Sequence, residues 1–105
     1  MSQLKIFTDE LKNDYFILEE LDTDELGTHK IIQNDTTLLF VFDTTTGLYL
    51  ENLDGVKRVV KELSKYVESS GWGKMMEPKL KVYEWGLEKL TYYQREKNIK
   101  NILES

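Results

Sequence analysis

The spacing of apolar residues changes period along this chain, and the changes divide it into elements. The densest apolar run is Leu38, Leu39, Phe40, Val41 and Phe42. Five residues are too few for a helix core but suit a strand buried on one face or both. The polar stretch from Asp43 to Gly47 then reads as a turn, its glycine free to take the positive φ of a short hairpin, and Leu48, Tyr49 and Leu50 return the chain. Upstream, Leu4, Phe7 and Leu11 stand at i, i+3 and i+7, which predicts a short helix over residues 2–13 capped by Ser2 and stopped at Asn13 and Asp14. Residues 15–21 favour a strand. A helix running on from residue 3 competes with it, because Leu18 and Leu21 fit the same stripe. A polar loop over 22–27, a strand over 28–33 and a tight turn at Asn34 and Asp35 complete an antiparallel meander of three to four strands.

Beyond residue 52 the period is helical. Val56, Val59, Val60, Leu63 and Val67 form one apolar face behind a cap at Asn52 or Asp54, and this helix should lie on the sheet. Residues 69–73 break the chain, Pro78 suits a first helical turn, and Leu80, Tyr83, Leu87 and Leu90 predict a long second helix to about Leu103, bent at Gly86 or fraying after Glu96. The expected fold is α+β in a single domain over 1–105: a short N-terminal helix, the meander, and two C-terminal helices packed on the sheet.

Composition narrows the function classes. A chain of 105 residues with 40% hydrophobic and 31% charged residues is an ordinary globular domain with one core. It has no cysteine, hence no disulfide framework and no thiolate site. No apolar run approaches the roughly 20 residues of a membrane span and no signal pattern opens the chain, so a cytoplasmic protein, of a bacterial or phage-infected cytosol, is expected. Alanine is absent and two arginines stand against twelve lysines, as AT-rich coding would give. Charge is unevenly spread. Residues 1–54 hold three lysines and twelve carboxylates, while residues 55–105 hold eleven basic and seven acidic residues. An acidic half can steer a basic partner towards itself.

Catalytic groups are sparse. His29 is the one histidine and stands in a predicted strand, where it reads as a surface or half-buried residue with no partner at fixed spacing. Asp22, Asp24 and Gly27 match three positions of a calcium loop, but Leu26 and Gln33 occupy two ligand positions. Glu77-Pro78-Lys79 has the E-x-K spacing of some nucleases yet opens a helix, and Gly71-Trp72-Gly73 lacks the rest of a phosphate loop. No enzyme, catalytic residue, metal or cofactor is expected.

Two surfaces remain. Glu19, Glu20, Asp22, Asp24 and Glu25 form an acidic stretch suited to a basic protein partner. The C-terminal segment interleaves Lys89, Arg95 and Lys97 with aromatics, which suits nucleic acid as the alternative. Trp72, Trp85, Tyr92 and Tyr93 exceed what one helix stripe can bury, so an interface there, including a homo-oligomer, is expected. In layout and charge the chain resembles some small phage-encoded inhibitors of type II CRISPR nucleases. That resemblance implies a non-enzymatic inhibitor or adaptor that docks an acidic face on a basic protein such as a nuclease.

Overall fold

The computed structural model describes residues 5–69, 71 and 73–104, the side chains of 98–104 excepted. Five strands form one antiparallel sheet in sequence order: β1 (Ile6–Thr8), β2 (Asp14–Thr23), β3 (Gly27–Gln33), β4 (Leu38–Thr44) and β5 (Gly47–Glu51). Two helices follow, α1 (Leu53–Ser69) and α2 (Gly73–Glu104). The class is α+β, with five strands where the pattern predicted three to four.

The expected N-terminal helix is not formed over the described part of its range. Ile6–Thr8 is a strand, and Asp9 builds a turn instead. One oxygen of the Asp9 carboxylate accepts the backbone N–H groups of Leu11 (3.0 Å) and Asn13 (2.8 Å), while the other accepts the Tyr15 hydroxyl at 3.1 Å. Lys12 takes the left-handed φ of 69° that reverses the chain. Phe7 packs across the hairpin on Tyr15, with ring centroids 6.4 Å apart, and Leu11 is 81% exposed. The apparent helical stripe thus belonged to a strand and a turn tip. Ser2 and Leu4 lie outside the described residues.

β2 carries a bulge between Ile17 and Glu19 that changes which face its side chains use. Ile17 pairs with Ile32 on the face away from the helices, whereas Glu19 pairs with Ile31 on the helix side. The helix side holds the main core of Ile31, Leu38, Phe40, Phe42, Val56, Val82, Tyr83 and Leu90. On the other side Tyr15, Ile32 and Val41 are buried among Phe7, Ile17, Leu39 and Leu50. The central run is therefore buried on both faces, as its unbroken apolar pattern required.

Asn52 caps α1, accepting the N–H of Gly55 at 2.8 Å. α1 packs chiefly on α2 and also meets β4 and β5, while α2 crosses β3 and β4. α2 starts at Gly73, five residues before the expected start. Pro78 sits inside it and forgoes the one backbone bond it would have made to the carbonyl of Lys74. Because α2 meets both α1 and the sheet, it buries a wider arc than one stripe. Trp85, expected to point away from the apolar face, packs edge-on to Phe40 at 6.2 Å.

Gly86 sets how closely α2 approaches. A Cβ there would lie 2.8 Å from Cδ1 of Phe40, which is fully buried and cannot move aside. Gly86→Ala is therefore expected to destabilise the fold by about 1–3 kcal/mol despite the better helix propensity of alanine, measured as a lower urea midpoint.

Candidate functional site

The predicted acidic stretch is not one loop. Glu19, Glu20 and Asp22 lie in β2, and only Asp24 and Glu25 occupy the turn to β3. Glu19 faces the helices, where it accepts the Tyr93 hydroxyl (2.8 Å) and lies 3.3 Å from the Lys89 ammonium. Burial first, then this bond and the Glu19 charge, pushes Tyr93 up to about 12. Glu19 thus fastens α2 to β2. Glu20 pairs with Lys5 at 3.0 Å, and Asp22 accepts the Thr28 hydroxyl at 2.7 Å. Among the described residues, no cation lies within ion-pair distance of Asp22, Asp24 or Glu25.

The turn holding Asp24 and Glu25 stands between two clefts. A groove of about 740 Å³ opens between this turn, the β4–β5 turn, α1 and the start of α2. Its walls carry Glu25, Tyr49, Glu62, Tyr66, Lys79 and Tyr83. The smaller cleft, about 390 Å³, runs from Asp24 and Glu25 to Pro78 and Lys81. The size and aromatic lining of the larger groove are those of a binding site for side chains or a small ligand. Its field is mixed. The Lys79 ammonium sits 5.7 Å from the centre of the Phe42 ring, while burial, reinforced by the charge of Glu51, pushes Tyr83 up to about 12. With Glu25, Glu51 and Glu62 against Lys79, carboxylates outnumber the cation.

The four candidate aromatics are not brought together as one exposed patch. Trp85 belongs to the core and Tyr93 is half-buried against Glu19, with Tyr92 edge-on beside it at 5.0 Å. Tyr92 is 54% exposed, and Trp72 lies outside the described residues. The groove residues Tyr49 and Tyr66, both exposed, carried no sequence motif; only the chain crossing from β5 to α1 brings them together.

No family model, curated protein or solved structure matches the chain. Among the described residues no group of histidines and carboxylates could hold a metal ion, and no helix is long and apolar enough to cross a membrane.

His29 is fully buried in β3, deeper than a surface or half-buried strand residue. It stacks on Phe42 with centroids 4.6 Å apart, and its Nδ1 accepts the N–H of Asp43 at 3.3 Å where the β3–β4 ladder ends. That bond places the imidazole hydrogen on Nε2, which is buried with no partner among the described residues. Burial holds its pKa below the ordinary 6.5, against the opposing pull of the Asp43 carboxylate. The unfolded chain then binds the proton more readily than the folded one. The His29 contribution is complete above pH 6.5 and is lost as pH falls from 6.5 through the lower folded-state value. His29→Phe is expected to remove this part of the acid sensitivity. The stability difference between wild type and variant, from urea unfolding, should shift against wild type as pH drops below 6.5.

Proposed function

We propose that this protein is a non-enzymatic binding module, an inhibitor or adaptor that docks an acidic face on a basic protein such as a nuclease. The observation that carries this reading is the turn end of the sheet. Among the described residues Asp22, Asp24 and Glu25 have no internal cation there; Glu25 lines the larger groove with Glu62, Tyr49 and Tyr66, and Asp24 lines the smaller cleft next to it. A lysine or arginine side chain of the partner can meet carboxylates at the rim and ring faces inside, each contact strengthening as water leaves. The proposed docking surface is centred away from Glu19 and Glu20, whose carboxylates meet Lys89, Tyr93 and Lys5 of the same chain.

A second reading has its own support. The exposed residues Lys57, Lys61 and Lys65 recur every four positions along α1 beside Arg58, a stripe that suits a polyanion, while Arg95 on α2 is also exposed. The two readings place function on opposite charges.

Affinity capture from a nuclease-treated bacterial lysate separates them, with wild type beside the variant Asp22→Lys, Asp24→Lys, Glu25→Lys and Glu62→Lys. The expected result is a basic protein retained by wild type, eluted by salt, and held at least about tenfold more weakly by the variant. Equal capture by both forms would contradict the reading. Binding of a labelled nucleic-acid duplex by purified wild type, weakening with salt and lost when Lys57, Lys61 and Lys65 become glutamine, would favour the second.

A further inference from the structure

The larger groove holds charges that the fold leaves unmatched. Glu25 on the β2–β3 turn and Glu62 on α1 both line it and are exposed, and neither has an ion-pair partner among the described residues. Lys79 on α2 lines it too, with no carboxylate of the described residues within ion-pair distance of its ammonium. That ammonium lies instead 5.7 Å from the centre of the Phe42 ring. The groove therefore already seats one cation on an aromatic surface, at the end of a flexible stem.

The four rings of the lining differ in what they can still offer. Phe42 is stacked on both His29 and Tyr83, and Phe42 and Tyr83 are buried. Tyr49 on β5 and Tyr66 on α1 are 53% and 41% exposed, so their ring surfaces are open to a guest. The Tyr49 ring lies against its own turn, where a Cβ at Gly47 would stand 3.0 Å from its Cε2 and its hydroxyl oxygen. Leu26, Val59, Leu63 and Met76 make up the apolar part of the lining.

We infer that this groove takes an arginine side chain of the partner in preference to a lysine, with an adjacent apolar residue against the apolar lining. The inference rests on the docking reading above and deepens it. A guanidinium is planar and weakly hydrated, so it can stack on a tyrosine face while its edge donates to carboxylates. An ammonium is compact and strongly hydrated, has no face to stack, and gives up more on leaving water. Two carboxylates against one ammonium leave the lining net acidic, which favours a cation and opposes a phosphate-bearing guest. The volume of about 740 Å³ is that of a site for more than one side chain, so the apolar neighbour has room. Lys79 is the guest's competitor, because its ammonium occupies the same field and the same aromatic surface.

Heteronuclear NMR of the nitrogen-labelled full chain, titrated with acetyl-Gly-Arg-Leu-amide or acetyl-Gly-Lys-Leu-amide, tests this. The arginine peptide should shift the amides of Thr45, Thr46, Tyr49 and Tyr66 and bind at least about threefold more tightly than the lysine peptide. Tyr66→Leu should erase that preference, Glu62→Gln should weaken both peptides about twofold or more, and Lys79→Met should tighten both. If Tyr66→Leu disturbs amides far from the groove, Tyr49→Leu takes its place. Equal binding of the two peptides, with both weakened by Glu62→Gln, overturns the arginine assignment and leaves the acidic docking face standing. No shift with either peptide at about 10 mM also overturns it, and capture of a basic protein from lysate then decides the docking reading separately. Stronger shifts of the same amides by adenosine monophosphate would overturn it in favour of a nucleotide.

Discussion

The close seating of α2 on Phe40 is the contact from which the rest of the structure takes its geometry. Gly86 lets the helix backbone come against a fully buried ring, and Tyr83 and Trp85 also meet that ring edge-on. Phe42, one pleat along β4, stacks on Tyr83 at 4.8 Å and on His29 at 4.6 Å. The aromatic core therefore runs as one contact series from β3 through β4 to α2, with edge-to-face and stacked pairs each adding to simple burial. A helix held further out would separate these rings and widen the groove above Phe42.

The same seating sorts the carboxylates by role. Glu19 lies on the helix side because the β2 bulge shifts its phase, and there it secures Tyr93 and Lys89. Glu20 pairs with Lys5, while Asp24 and Glu25 have no ion-pair partner among the described residues and stand at the turn end, where Glu25 lines the groove beside α1. One part of the acidic half holds the fold together and the other faces outward. Changing the whole run at once would confuse unfolding with loss of binding.

The chain's pattern shows the fold clearly where period and burial agree. Leu38 to Phe42 as a two-faced strand, the valine face of α1 and the Asn52 cap are all legible, since each depends on local spacing and one tertiary neighbour. The N-terminal region was misread because three apolar residues at helical spacing cannot reveal a carboxylate that gathers two N–H groups and a tyrosine hydroxyl, nor Lys12 in left-handed conformation. Trp85 was misplaced because a single stripe assumes one neighbour, whereas α2 has two. The groove has no signature of its own: Glu25, Tyr49 and Tyr66 come from three separate elements and meet only in the folded chain. The role of Glu19 depended on a bulge that sequence spacing does not reveal.

Native-state hydrogen exchange tests most directly whether α2 and the central strand form one cooperative unit through Phe40 and Gly86. The amides of Phe40 and Val41 and those of residues 83–90 should exchange with one common opening free energy, equal to that of global unfolding in urea. If the α2 amides instead exchange through a lower-energy opening while β3 and β4 stay protected, the helix is an appendage and this contact does not organise the fold.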